Sequence, residues 1–348
     1  MPAGCRVFET SGSTGEAVGI VHCEEALRIS AAAVNRHLEV DGGSCWALAL
    51  PRRHVGGCGV VVRAEVAGCR FVEWTGRWES RGFAAWLAGT GATHLSLVPT
   101  QVHDLVRAGC RAPGSLRAVV VGGGRLGDAA GRAARELGWP VLASYGLTEA
   151  ASQVATASLG SLGDRFSSDF LPVLPIWELR AGADGIVDLR GDSLFLGRVE
   201  VGAGGRRRFI PREGEWFKTR DLGSVDGAGR LTVRGRVDQF VKILGELVDP
   251  LAVEDSLESM NAGELRGRIA VVAVPDSRAG HRLVAVRESG VDPVAAEKSG
   301  AAWNGRCPGY ARVAEWIDVG KIPRSPLGKV LRKEMQEMVC QGRGGFRY

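Results

Sequence analysis

The chain has 348 residues, 45% of them hydrophobic and 24% charged, which at roughly 150 residues per domain predicts two domains large enough for cores of their own. Its 50 glycines are about twice the usual share but follow no G-X-Y period, so collagen is excluded, and the apolar content excludes a disordered chain. The net charge of +5 is mild and scattered and no run of 18 apolar residues occurs, which argues against a nucleic-acid partner and a membrane span.

An extended Arg6–Glu9 leads into Thr10-Ser11-Gly12-Ser13-Thr14-Gly15. Glycines alternating with hydroxyls leave backbone N–H groups free to cradle phosphate oxygens. The Gly-Lys-[Ser/Thr] ending of a Walker loop is missing, and composition alone fits a surface turn equally well. Further on, Trp46–Leu50, Leu95–Val98, Ala118–Val121 and Val141–Ser144 read as short buried strands. Ser80–Leu87, Gln101–Ala108 and Ala129–Leu137 read as helices between them. Such alternation predicts an α/β fold with a mostly parallel sheet flanked by helices.

Gly122-Gly123-Gly124-Arg125-Leu126-Gly127 follows the third strand and precedes a helix, as G-x-G-x-x-G requires. A dinucleotide site also needs an acid ending the next strand, about 20 residues on, and Val141-Leu142-Ala143-Ser144 has none. Tyr145-Gly146-Leu147-Thr148-Glu149 comes next, where α/β sheets bind ligands, and reads as the opening of a helix. Its aromatic ring, hydroxyl and carboxylate could stack a base, touch a phosphate and hold Mg²⁺. Thr-Glu at a helix start is also simple capping.

Beyond Pro172, Ile186–Arg190, Leu194–Val201 and Leu231–Arg234 are short strands between Asp/Gly turns, a small antiparallel β region. Gly191-Asp192-Ser193-Leu194 spells one esterase signature, but only His281 follows it, in no Asp-x-x-His arrangement, so it reads as a β-turn. Arg206-Arg207-Arg208 reads as a solvated hairpin tip. Asp221, in Trp216–Gly223, could accept from two ribose hydroxyls, and Arg236, before Val237-Asp238, could pair with phosphate.

A third character begins near residue 237. Asp249 and Pro250 cap and open a helix through Met260. Strands Ile269–Val274 and Leu283–Arg287, helix Pro293–Trp303, strand Val313–Val319 and a helix after Gly328 make an α+β domain. Its loop Ile322–Lys329 presents Lys329. Gln341–Tyr348 reads as a frayed tail. The eight cysteines form no Cys-x-x-Cys pair, which argues against structural zinc and for a reducing cytoplasm.

The order and spacing of Thr10–Gly15, Tyr145–Glu149, Trp216–Gly223, Gly235–Glu254 and Ile322–Lys333 resemble the adenylate-forming (AMP-binding) superfamily of acyl-CoA synthetases over nearly the whole chain. Leu50-Pro51-Arg52-Arg53-His54-Val55-Gly56-Gly57 with Arg63, Ser96–Gln101 and the glycines at 122–124 are similar to its o-succinylbenzoate–CoA ligase branch. The resemblance implies an AMP-binding large domain over 1–237 and a small mobile α+β domain over 238–340, before a tail at 341–348. It implies a two-step ligation: a carboxylate attacks the α-phosphorus of ATP, then coenzyme A displaces AMP. The implied acid is o-succinylbenzoate, a step of menaquinone synthesis.

Carried over residue by residue, Thr10, Ser11, Gly12, Ser13, Thr14 and Gly15 would hold the β,γ-phosphates. Gly122, Gly123, Gly124, Ser144, Tyr145 and Gly146 would line the nucleotide. Thr148 would contact the α-phosphate and Glu149 ligate Mg²⁺. Asp221 and Arg236 would hold the ribose, and Lys329 would bridge carboxylate and phosphate. His54, Arg63, Thr100 and Gly123 would face the acid. Arg63, inside an apolar run, is expected to pair with its second carboxylate. Lys242 and Gly245 would meet coenzyme A after rotation about a hinge at Asp238.

Two departures stand out. Val18 occupies the place of the family's usual phosphate-loop lysine. Relatives carry a hundred or more residues before that loop, so this is a short form or an incomplete start, with a flank for a second copy to cover in a homo-oligomer. Other readings are another aryl- or acyl-CoA ligase, a non-catalytic nucleotide-binding relative, and an NAD-linked oxidoreductase using Gly122–Gly127, which would leave Lys329 unexplained.

Overall fold

Short runs of four to seven residues, mostly apolar at the centre and too short for helices, build the central sheet. The computed structural model describes residues 4–11, 17–201, 206–261, 263–324 and 330–342. The chain divides into two compact units, Met1–Leu126 with Gly131–Arg234, and Gly127–Ala130 with Gly235–Tyr348.

The first unit opens with a hairpin of β1 (Cys5–Ser11) and β2 (Ala17–Cys23), then α1 (Glu24–His37), β3 (Cys45–Leu48), α2 (Val55–Ala67), β4 (Arg70–Glu73), α3 (Ser80–Ala88), β5 (His94–Leu97), α4 (Pro99–Arg107), β6 (Ala118–Val121), α5 (Asp128–Glu136, whose first three residues group with the second unit), β7 (Val141–Leu147) and β8 (Ser152–Thr156). Every residue of β3, β5 and β6 is buried, as strands covered on both faces must be. The six-stranded sheet runs β4-β3-β5-β6-β7-β8, parallel except for β8 at its edge. From β3 the chain steps first to β4 on one side, then to β5 on the other. A crevice between β3 and β5 is therefore the topological switch point, the place where open α/β sheets take ligands.

The four expected runs fall on β3, β5, β6 and β7: the third coincides with its strand, the first two are shifted by one or two residues, and β7 continues three residues past Ser144, while β4 and β8 were not expected. Two helices, α1 and α2, lie where none was expected. Three glycines in Val55–Ala67 argue against a helix by propensity; burial overrides them, because a Cβ on Gly57 would stand 2.3 Å from the Pro51 carbonyl oxygen.

The antiparallel region is two sheets. β9 (Leu171–Pro172), β10 (Glu178–Ala181), β11 (Ile186–Arg190), β14 (Phe217–Val225) and β15 (Arg230–Arg236) form one, while β12 (Gly197–Val201) and β13 (Arg207–Pro211) join the first hairpin as β1-β2-β12-β13. The strand expected from Leu194 begins only at Gly197, because Leu194 N–H closes a turn onto the Gly191 carbonyl at 3.2 Å. Arg206, Arg207 and Arg208 are exposed at the start of β13.

In the second unit, β16 (Val241–Ile243) and β17 (Glu246–Val248) form a hairpin. After α6 (Pro250–Met260) come β18 (Ile269–Asp276), β19 (Gly280–Glu288), α7 (Pro293–Asn304), β20 (Val313–Val319) and α8 (Arg332–Gly342). Alternation splits the sheet's side chains between two cores. Ile269, Val271 and Ala273 pack with Val253 and Leu257 of α6 and Ala296 of α7; Ala270, Val272 and Val274 pack with Met335 and Val339 of α8. The last helix begins at Arg332, and Gln341 and Gly342 belong to it rather than to a tail.

Candidate active site

The nucleotide-binding candidates of the first unit sit where β6 and β7 end. After β6 come Gly122, Gly123 and Gly124. Gly123 has φ +76°, a left-handed conformation that L side chains avoid, and Gly123 and Gly124 are exposed.

Ser144 and Tyr145 lie inside β7 rather than past its end. Ser144 Oγ is 3.1 Å from Thr156 Oγ1. The Tyr145 hydroxyl donates to Asp221 Oδ2 at 2.5 Å, and burial with the neighbouring Asp221 carboxylate pushes its pKa well up. Asp221, buried on β14, is set by its own N–H donating to Thr219 Oγ1 at 3.0 Å, which itself donates to the Val187 carbonyl at 2.7 Å. The structure thus joins Tyr145 and Asp221, 76 residues apart.

Thr148 and Glu149 do not open an α-helix. They form a single 3₁₀ turn, Thr148–Ala150, and the chain reverses into β8. Ala151 and Ser152 pay for the reversal with φ +54° and +113°. Gly146 is fixed by close approach, since a Cβ there would lie 1.8 Å from the Ser152 carbonyl oxygen. Two contacts hold the turn from outside: Phe195 N–H donates to the Glu149 carbonyl at 2.9 Å, and His22 Nε2 lies 2.7 Å from the Thr148 carbonyl. Sequence reasoning missed His22, which stands in no motif.

At the switch point, His54 precedes α2 and Thr100 sits in the first turn of α4; both are half-buried. Burial and the adjacent Arg53 lower the His54 pKa. Gln101 ties the two loops together: Val98 N–H donates to its Oε1 at 3.0 Å and its Nε2 donates to the Ala49 carbonyl at 3.3 Å. Beneath them Arg63 of α2 is 2% exposed. Its guanidinium donates to Ser96 Oγ at 3.3 Å and Ser152 Oγ at 3.1 Å and lies 5.3 Å from the Trp46 ring centroid. No described carboxylate pairs with it, and burial lowers its pKa to about 10, which still leaves a cation at neutral pH.

In the second unit, Arg236 Nε donates to Asp238 Oδ1 at 3.1 Å. Lys242 is exposed on β16. Leu244 and Gly245, both at positive φ, make the two-residue hairpin tip. Thr10 and Ser11 end β1; Gly12, Ser13, Thr14, Gly15 and Lys329 lie outside the described residues.

The Gly191–Leu194 turn leaves Ser193 fully buried, unlike an exposed nucleophile. Among the described residues no helix is long and apolar enough to cross a membrane, and no group of three His, Cys, Asp or Glu could hold a metal.

Comparison with known proteins places this geometry in context. The AMP-binding enzyme family matches residues 7–171. The 2-succinylbenzoate–CoA ligase of Salmonella typhimurium is 33% identical over 335 residues, 95% of this chain and 68% of that one. The Escherichia coli enzyme of that name is 34% identical over 284 residues, 82% of this chain and 58% of its own length. A substituted E. coli MenE with bound OSB-AMS superposes with a TM-score of 0.77 at 29% identity, covering 96% of this chain and 68% of that one. The chain therefore spans between 58% and 68% of the length of these relatives.

Proposed function

Because the chain belongs to the family of AMP-binding 2-succinylbenzoate–CoA ligases, we propose that it joins o-succinylbenzoate to coenzyme A at the cost of ATP, a step of menaquinone synthesis in the cytoplasm. The observation that carries the choice of acid is Arg63, a buried guanidinium bonded by its side chain only to hydroxyls among the described residues. A substrate with a second carboxylate supplies the missing anion.

The reaction has two steps. A carboxylate oxygen attacks the α-phosphorus and pyrophosphate leaves. The coenzyme A thiolate then attacks the acyl carbon and AMP leaves. Asp221, oriented by Tyr145, accepts from the ribose hydroxyls, Arg236 assists by donating to the nucleotide's oxygens, and Gly122, Gly123, Gly124 and Gly146 let backbone approach the nucleotide. Thr148 donates to the α-phosphate. Lys329 places a cation between carboxylate and phosphate, where charge builds in the transition state.

Glu149 fits Mg²⁺: it offers hard carboxylate oxygens on a half-buried, backbone-pinned turn, and Mg²⁺ bound with ATP takes few protein ligands. The ion supplies charge neutralisation at the phosphates. His54 and Thr100 border the acid at the switch point. Thr10–Gly15 cradle the leaving phosphates by backbone, with Val18 adding no charge. Asp238 is the hinge that exchanges Lys329 for Lys242 and Gly245 between the two steps.

Pyrophosphate release from ATP, Mg²⁺ and o-succinylbenzoate tests the reading. Release that needs the acid, and CoA thioester that appears only with coenzyme A, are expected. ATP binding without release across a panel of acids would make the chain a non-catalytic relative.

A further inference from the structure

His22 is fully buried on β2, and its Nδ1 has no hydrogen-bond partner among the described residues. A buried, unsatisfied ring nitrogen is destabilising, and an apolar side chain would avoid it. Among the described residues the imidazole makes one hydrogen bond, the 2.7 Å contact of Nε2 with the Thr148 carbonyl. A carbonyl only accepts, so Nε2 carries the proton and Nδ1 is the bare acceptor. Burial lowers the ring's pKa to about 4, which keeps this neutral tautomer in place at physiological pH.

The acceptor matters as much as the donor. The Thr148 carbonyl also receives Ala151 N–H at 3.2 Å, and that bond closes the turn whose next residues, Ala151 and Ser152, hold left-handed backbone. Strained backbone of this kind persists only when its surroundings over-determine it. His22 comes from the strand that follows the phosphate loop, 126 residues from Thr148. One hydrogen bond thus couples the strand leaving that loop to the turn bearing Thr148 and Glu149.

We infer that His22 is a positioning residue for Mg²⁺-ATP: it touches no reacting atom but fixes the Thr148–Glu149 turn in the geometry that meets the α-phosphate and the ion. The inference rests on the roles proposed for Thr148 and Glu149. His22→Gln retains a side-chain N–H long enough to reach the carbonyl, whereas His22→Asn is too short and His22→Leu has none.

Pyrophosphate release by the full chain, with ATP-Mg²⁺ and o-succinylbenzoate varied separately, is the experiment, with melting temperatures read alongside. His22→Leu and His22→Asn are expected to raise the KM for ATP-Mg²⁺ about tenfold, with the KM for the acid within about twofold, and His22→Gln is expected to recover most of the loss. If Leu fails to fold, the Gln and Asn pair, compared at similar melting temperatures, carries the same contrast. Glu149→Ala is the reference. If it raises the ATP-Mg²⁺ KM while the short variants do not, or if Gln and Asn behave alike, the positioning role is overturned and the proposed site stands. If Glu149→Ala has no effect either, the assignment of the turn itself fails.

Discussion

A guanidinium withdrawn from water without a carboxylate partner is a burden on the folded state, and two serine hydroxyls relieve only part of it. Arg63 carries that burden in the middle of α2, against the Trp46 ring. The cation is retained where a methionine of similar reach would pack. Arg63→Met should therefore separate stability from function. The melting temperature is expected to hold or rise by a few degrees, while the KM for o-succinylbenzoate rises about a hundredfold and the KM for ATP stays within about twofold. Steady-state kinetics against each substrate, with thermal melts of both proteins, check this. Equal effects on the two KM values would mean that Arg63 only supports the fold. Tyr145 teaches a related point: its ring was expected to flank adenine, and its hydroxyl also reaches Asp221, a distant pairing that no local motif encodes.

Elements were legible where local pattern and burial agree. The runs of β3, β5, β6 and β7 declare themselves because strands covered on both faces are largely apolar, with the buried His94 and Ser96 of β5 as the polar exceptions within that run. Helix α6 declares itself through Asp249, whose side chain accepts from Leu251 N–H at 2.9 Å. Helix α2 did not, because its three glycines lower helix propensity, and one of them, Gly57, serves close approach to Pro51. Nor did the joining of β12 to β2, or the reach of His22 to Thr148, since pairings so distant in sequence leave no local mark. The motif glycines were legible as a group but not in their jobs: Gly123 serves a left-handed turn, Gly146 a steric contact with Ser152.

Helix α6 also holds a titration that sequence alone hides. Glu254 accepts the fork of Arg332 at 2.8 and 3.0 Å and Val271 N–H at 2.8 Å. One turn on, Glu258 accepts Gly267 N–H at 2.7 Å and is buried beside it. Burial first, then Glu254, push the Glu258 pKa from 4.5 to about 8, against the opposing pull of that N–H and of Arg266. Between those values the folded state holds a proton that the unfolded state has lost. Its contribution to stability is full below about 4.5 and is lost as pH rises through about 8. Glu258→Gln keeps an acceptor for Gly267 and removes the titration. Its melting temperature should match the native chain near pH 4 and exceed it by several degrees near pH 9. Parallel curves across that range would place the Glu258 pKa near its ordinary value.

At the scale of the whole molecule, the proposed chemistry is divided between two units. Asp221, Tyr145, Thr148 and Glu149 belong to the first, while Lys242, Gly245 and Lys329 belong to the sequence of the second. A division of this kind lets one nucleotide site serve two half-reactions, with a different face of the small unit needed for each. Gly245 offers a test because a Cβ there meets nothing within 4 Å; its own φ of +89° strains any L side chain, so the melting temperature of the variant is read alongside its kinetics. Gly245→Leu is expected to leave acid-dependent pyrophosphate release near the native rate and to slow thioester formation from preformed acyl-adenylate at least tenfold. Lys329→Ala is expected to do the reverse, losing adenylation about a hundredfold or more and sparing thioester formation. Each half-reaction is measured alone, the first without coenzyme A and the second from synthetic acyl-adenylate. If both variants lose both half-reactions in proportion, the two steps share one arrangement of the small unit, and no exchange about Asp238 is needed to explain them.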